Sequence, residues 1–275
     1  MSIPRIENNA TTTTSDSLNV NNRQIFKDSF IDIDVELKRQ PVALSIGEST
    51  YRQTIYPLPF GSYGDYSCIV GSSKSKKTFL KSALVAGYFG GQSTHYFPNV
   101  KGHHSEHKFV IDIDTEQSDY HSQRVFRRVS EMIGTNPEYY KPFSLRKYSP
   151  DERIGFIDWL FYESPYKGHI GLVSIDGYAD LINDFNSLEQ STMLSQKLLK
   201  WSADSKCHIT GILHKNFGSS KPVGHIGSTI LKKAETVVFL ENDEDFTKVK
   251  CTYSRNVPFE DFKFVVDENW LPKEV

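Results

Sequence analysis

The chain has 275 residues, of which 38% are hydrophobic and 13% aromatic, enough for one large domain with an ample core. Lys and Arg number 32 against 34 Asp and Glu, a net charge of −2, so no overall basic surface advertises nucleic-acid binding and any such surface is local. Cys68, Cys207 and Cys251 lie far apart and read as small buried hydrophobes in a reducing compartment, not as a disulfide or zinc framework. With no apolar signal core at the start and no apolar run of membrane-spanning length, the reading is a cytosolic (cytoplasmic) protein with no membrane partner.

In chain order, residues 1–24 are rich in Asn, Thr and Ser and poor in large apolar groups, which predicts a flexible polar tail. The Asn9-Ala10-Thr11 sequon carries no weight in a cytosolic chain. Residues 25–275 read as a single domain in which strand and helix patterns alternate. YSCIV (66–70) is a short apolar strand, and apolar periodicity through Leu80, Leu84 and Tyr88 predicts a helix after it. KFVIDID (108–114) is a second strand, and Val125, Val129 and Ile133 mark the next helix. FSLRKY (143–148) is the candidate third strand. Ser149-Pro150-Asp151-Glu152 supplies an N-cap, a first-turn proline and a capping-box glutamate for a helix carrying Ile154, Ile157 and Phe161. HIGLVSID (169–176) and CHITGILH (207–214) are further strands, with helices marked by Leu194, Leu198 and Trp201 and by GHIGSTILKKAE (224–235). TVVFLE, TKVKCTYSRN and FKFVVD read as closing strands. Alternating β and α at this spacing implies parallel strands with crossover helices in a three-layer α/β domain.

The chemistry centres on GSSKSKKTF, Gly71-Ser72-Ser73-Lys74-Ser75-Lys76-Lys77-Thr78-Phe79. A phosphate-binding loop reads G-x-x-x-x-G-K-[ST], and this stretch fits except that Lys76 stands where the second glycine belongs. In such a loop the backbone N–H groups wrap a β-phosphate, Lys77 reaches the β- and γ-phosphates, and Thr78 offers its hydroxyl to Mg²⁺. A lysine at position 76 is expected to adopt helical φ/ψ with its side chain directed outward. The competing reading is a basic loop ahead of an amphipathic helix. Glu116 follows the second strand, where a carboxylate polarises a water for attack on phosphate, although a loop acid is as readily only solvated. Asp112 and Asp114 are read as structural. Asp176 closes a buried strand, the position from which an acid holds Mg²⁺. All three elements meet at the carboxyl ends of strands, where ligands of α/β folds bind. His214 closes another strand as a candidate γ-phosphate sensor, and Lys215, Asn216, Lys221 and His225 lie in a polar loop suited to a phosphate backbone. KGHHSEHK (101–108) places His103 and His107 four apart but reads as a loop, not a metal site.

Taken together, GSSKSKKT, DTEQS, SIDGYADL, ILHKN with GHIGST, and YSRNVPFEDFKF resemble the RecA-type P-loop ATPases. The similarity is to RepA-like and DnaB-like hexameric helicase cores of the kind encoded by Bacteroidetes mobile elements, over about residues 38–267. That group accepts a basic residue in place of the second loop glycine. The resemblance implies ATP and Mg²⁺ as cofactors, Lys77 and Thr78 as the loop pair, Glu116 as catalytic acid, Asp176 as the Mg²⁺ acid and His214 as sensor. It further implies a homo-oligomer, a hexameric ring, acting on single-stranded DNA alongside replication or mobilisation proteins. Arg255 would be an arginine finger acting across the subunit boundary, its alternative being an ion pair with Glu260 or Asp261. DnaB-like cores carry a lysine two places before that arginine, where this chain has Tyr253, and the alternatives to a motor are an ATP-dependent switch or loader of partner proteins and a nucleotide-binding module that has lost hydrolysis.

Overall fold

In the computed structural model, residues 13–215 and 224–275 are described. The chain divides into two compact units, separated between Arg39 and Gln40. In the first unit a helix, α1, spans Thr13–Ser29, and Gln24 Nε2 donates to both carboxylate oxygens of Asp28, one turn on. Helix α1 covers part of the stretch that composition reads as a polar tail, and the second unit begins at Gln40. A side-chain pair four apart supports the last turns of this helix, and composition does not register such pairing.

The second unit is built on a nine-stranded sheet. In chain order its elements are β1 (Val42–Tyr51), β2 (Thr54–Ser62), β3 (Tyr66–Gly71), α2 (Lys77–Phe89), β4 (Val100–Gly102), β5 (Phe109–Asp114), α3 (Asp119–Ile133), β6 (Tyr140–Ser144) and α4 (Pro150–Tyr162). They continue with β7 (Ile170–Asp176), α5 (Leu188–Ser205), β8 (His208–His214), α6 (Gly224–Lys233), β9 (Thr236–Asn242), β10 (Thr247–Ser254), β11 (Phe262–Val266) and β12 (Pro272–Glu274). The large sheet runs β12-β11-β10-β9-β3-β8-β7-β5-β6. From β9 to β6 neighbouring strands are parallel, and β10, β11 and β12 close it antiparallel.

Strands β3 and β7 are buried along their whole length, because helices cover both faces of the sheet. On one face Leu80 and Leu84 of α2 and Val129 and Met132 of α3 pack on Ile69, Val110, Leu172 and Ile212. On the other face Ile157 of α4, Leu194 and Trp201 of α5 and Ile230 of α6 pack on Cys68, Val70, Ile113 and Val173. Helix α4 opens with the predicted capping box, Ser149 accepting from Glu152 N while the Glu152 carboxylate accepts from Ser149 N. Cys68 and Cys207 are buried free thiols and Cys251 is partly buried. Among the described residues no helix is long and apolar enough to cross a membrane.

One local reading changes, and one hairpin has no counterpart in the predicted elements. The strand expected over 143–148 is β6, Tyr140–Ser144, and residues beyond it form a turn in which Tyr148 N donates to Leu145 O. The β1–β2 hairpin, which pairs β4 in a separate three-stranded sheet, carries no recognisable turn signal. Its tip residues Arg52 and Gln53 both have positive φ (46° and 66°), the conformation that Asn-Gly ordinarily announces.

Candidate active site

Strand β3 delivers Gly71 to the carboxyl edge of the sheet, and six residues later the chain enters α2. A side chain at position 71 would collide with Ser75 Oγ and crowd Lys77, so glycine is required there for close packing of the loop. Ser75 N donates to Ser72 O at 3.2 Å, which closes the loop on itself. Ser75 is 1% exposed and its hydroxyl has no hydrogen-bond partner. Such a group costs free energy unless a partner arrives.

Lys76 is the N-cap of α2 at φ 62°, ψ 25°. The expected right-handed helical conformation is therefore overturned. The position needs left-handed backbone, the reason phosphate loops favour glycine there, and this chain accepts a lysine in that region. Lys74 is left-handed as well, at φ 61°.

Lys77 is 6% exposed and folds back over the loop, donating from Nζ to Ser72 O (2.7 Å) and Gly71 O (3.1 Å). Burial lowers its pKa, opposed by the nearby charges of Asp176 and Glu116. Thr78 Oγ1 donates to Asp176 Oδ2 at 2.9 Å, joining the first turn of α2 to the end of β7, two strands away in the sheet. Asp176 is 3% exposed, and burial pushes its carboxyl up to about 6 against the pull of Lys81.

Glu116 stands just past β5, exposed, with Oε2 3.6 Å from His214 Nε2 at the end of β8. Its carboxyl is held below the usual range, first by the contact with His214. Asp114 fixes the turn that carries it: Oδ1 accepts from Glu116 N and Gln117 N, both at 2.9 Å, and Oδ2 from Ser122 Oγ at 3.0 Å. Asp112 instead pairs with Lys81 inside the core.

These side chains line one cleft of about 490 Å³ bordered by Ser75, Lys77, Thr78, Glu116, Asp176 and His214. The donor set suits a polyphosphate with its divalent cation: loop N–H groups, a lysine, an orphan hydroxyl, and a hydroxyl beside a buried carboxylate. In the same cleft Phe79, the last residue of the predicted loop, forms an aromatic wall, and Arg128 is a residue that sequence reading did not single out. The Arg128 guanidinium lies 3.9 Å from the centroid of the Phe79 ring, donates to Ser82 Oγ and to Trp270 O, and has its pKa pushed down to about 10 by burial. Arg128 also borders a second cavity of about 310 Å³ with Tyr120, Arg124 and Trp270. In the sequence RVFRRVSEMI, Arg128 passes for one more residue of a polar helix face, and its partners lie more than forty residues away.

Other predicted residues fall elsewhere. Lys215 is half-buried and its N–H bonds Gly71 O. His225 is exposed in the first turn of α6. Asn216 and Lys221 lie outside the described residues. Arg255 is not at the cleft. It sits beyond β10 at the opposite end of β3, with Nη1 3.3 Å from Asp65 Oδ2 and Nη2 donating to Lys233 O. The partner is not Glu260 or Asp261, and Asp261 pairs with Lys248. His103 bonds Ser45 and His107 bonds Tyr139, and among the described residues no group of His, Cys, Asp and Glu is arranged to hold a metal ion.

A mostly parallel sheet between two helical layers, closed by antiparallel strands and carrying this loop on its central strand, is a RecA-like three-layer α/β fold. Among solved structures, the crystal structure of the RadB recombinase is similar, with a TM-score of 0.53 and 19% identity over 78% of this chain and 93% of that one. At that identity the likeness is one of fold. No protein-family model matches the chain, and no curated protein matches it.

Proposed function

We propose that this chain binds and hydrolyses ATP in the 490 Å³ cleft and that turnover drives a RecA-like motor acting on single-stranded DNA. The observation that carries the reading is the convergence of Lys77, the Thr78–Asp176 pair and the Glu116–His214 contact around the unpartnered Ser75 hydroxyl.

In this reading the loop N–H groups and Ser75 cradle the phosphates, and Lys77 exchanges its two carbonyl partners for phosphate oxygens. Thr78 and Asp176 would hold Mg²⁺, whose charge offsets that of the β- and γ-phosphates when bound. Glu116 orients the attacking water and takes its proton, and its lowered pKa keeps it ionised at neutral pH. His214 touches the same carboxylate, so it registers whether Glu116 is engaged with the γ-phosphate. The likeness to a recombinase in fold, together with the motifs at positions 71–78, 114–118 and 174–181, supports DNA as the polymer and a ring of identical subunits as the assembly. Half-buried Lys215 and exposed His225 would contribute contacts to the DNA backbone.

A second reading, an ATP-dependent switch that loads or regulates partner proteins, draws on Arg255 being tied within its own chain to Asp65 and Lys233 and on exposed Tyr253 two places before it.

Turnover of MgATP with and without single-stranded DNA decides between them. The motor reading expects stimulation by DNA, single-strand affinity that falls steeply with salt, and a loss of about a hundredfold in turnover for Glu116→Gln with binding retained. Basal turnover indifferent to DNA favours the switch. Normal hydrolysis by Glu116→Gln places the catalytic carboxylate elsewhere.

A further inference from the structure

Beyond the cleft, one buried cation joins the loops that carry the proposed catalytic acids. Arg153, in the first turn of α4, is 9% exposed. Its four hydrogen bonds all end on main-chain carbonyls: Nε to Leu145 O (3.1 Å), Nη1 to Asp180 O (2.6 Å), and Nη2 to Arg146 O (2.9 Å) and Thr115 O (3.3 Å). Those carbonyls belong to three different loops, which leave the carboxyl ends of the adjacent strands β5, β6 and β7.

The carbonyl positions matter because of what stands next to each. Thr115 immediately precedes Glu116. Its hydroxyl accepts from Gly177 N and lies 2.8 Å from both Asp176 O and Asp180 Oδ2, while its N–H donates to Asp176 O at 2.7 Å. The guanidinium thus grips the two loops that meet at Thr115 and sets the spacing between Glu116 and Asp176. Taking a cation out of water is costly. Only a planar group with five fixed donors satisfies four carbonyls at these angles, and lysine cannot reproduce it.

We propose that Arg153 is a positioning residue for hydrolysis, locking the Glu116 and Asp176 loops at their working separation without touching nucleotide. The inference rests on the assignment of Glu116 and Asp176 made above. Arg153 makes none of its four bonds to the phosphate loop, which meets the Asp176 loop through the Thr78–Asp176 bond, so turnover is expected to fall further than nucleotide affinity. Reactive geometry is sensitive on the ångström scale, and displacement of this size costs on the order of tenfold to a hundredfold in rate. Arg153 also borders a cavity of about 430 Å³, lined by Phe143, Leu145, Tyr148 and Phe156, so a small guanidine can reach the space that a truncated side chain leaves.

The test takes the full chain with Arg153→Ala and measures kcat, the Kd for MgATP, and amide hydrogen exchange. The expected result is a kcat at least about tenfold lower with a clearly smaller loss in the Kd for MgATP, the part of that loss that passes through Asp176 and Mg²⁺. Faster exchange is expected at the amides of Glu116, Gln117 and Gly177, and millimolar methylguanidinium should restore both rate and protection. Where Arg153→Ala does not fold, Arg153→Lys goes through the same measurements, keeping the charge but losing the fork. Unchanged kcat, a parallel loss of kcat and Kd, or unchanged exchange at those three amides overturns the proposal. Should wild type itself show no ATP turnover, the ATPase reading falls, and exchange at Glu116 and Gly177 still decides whether Arg153 holds these loops.

Discussion

At the scale of single residues, the phosphate loop stores strain in a place where it can be read out. Lys76 at φ 62° carries a left-handed penalty of about 1–2 kcal/mol, and a glycine there gives back roughly 0.5–1 kcal/mol in lost chain entropy. Lys76→Gly is therefore expected to raise stability by about 0.5–1 kcal/mol while keeping ATP affinity, whereas Lys77→Ala should abolish tight binding. Equal affinity losses in the two variants, measured by nucleotide titration, would reassign the phosphate-reaching lysine. Asp176 makes a second statement about stability. Its carboxyl sits near 6 in the folded chain against an ordinary value of 3.8. A raised carboxyl favours the protonated fold, so the stabilisation is complete below about 3.8 and is lost as pH rises through about 6. The cost in the nucleotide-free protein at pH 8 is up to about 3 kcal/mol. Asp176→Asn removes it, so this variant should melt higher than wild type at pH 8, with the gap closing toward pH 4, while losing the Mg²⁺ dependence of nucleotide binding. A gap that does not change with pH would show that burial of the charge is not its source.

At the scale of elements, α2 is held to the sheet by a buried ion pair as well as by apolar packing. Lys81 Nζ lies 2.9 Å from Asp112 Oδ1 and Tyr140 OH donates to Asp112 Oδ2, with both charged side chains wholly buried. Removing one partner leaves a buried charge uncompensated, so Lys81→Met should lower stability by about 3–5 kcal/mol, and adding Asp112→Asn should recover much of that. Urea denaturation of the single and double variants measures the coupling, and purely additive losses would deny it. The contrast between Asp112 and Glu116 shows what sequence reading reaches. Both acids lie in one short segment, and strand alternation separates an inward group from one past the strand end without any structure. The loop, Glu116, Asp176 and His214 were legible because each is tied to the carboxyl end of a strand, and strands are visible as apolar runs. Arg128, Trp270 and Arg153 were not, because their roles depend on tertiary contacts across as many as about 140 residues of chain, which no local pattern records. Lys76 was misread for another reason. The loop motif names residue types, and the left-handed backbone it requires is a property of the turn that a lysine side chain does not announce.

At the scale of the whole molecule, the open matter is Arg255. It belongs to the far end of β3, with Asp65 just before the strand and Gly71 closing it, so it stands roughly 20 Å from its own phosphate loop at the usual rise per strand residue. It cannot reach the cleft of its own chain, and a role in the proposed hydrolysis requires a neighbouring subunit whose cleft meets this end of the sheet. Its side chain is half exposed, and its bonds to Asp65 and to the Lys233 carbonyl hold it in one direction. An exposed pair of this kind contributes little stability, about 0–1 kcal/mol, so Arg255→Ala should leave the fold and the ATP affinity almost unchanged. If the arginine acts across a subunit boundary, the same substitution should lower turnover by about a thousandfold, the scale on which such a charge stabilises phosphoryl transfer. Mixing then separates the two roles. Arg255→Ala subunits keep an intact loop, and Lys77→Ala subunits keep an intact arginine, so mixed assemblies contain interfaces where the two intact halves meet. Activity should reappear on mixing in proportion to those interfaces, with co-assembly checked by light scattering in the presence of nucleotide. If the two variants co-assemble and the mixture stays as inactive as each alone, Arg255 serves only its own chain, and the partner-switch reading gains over the motor.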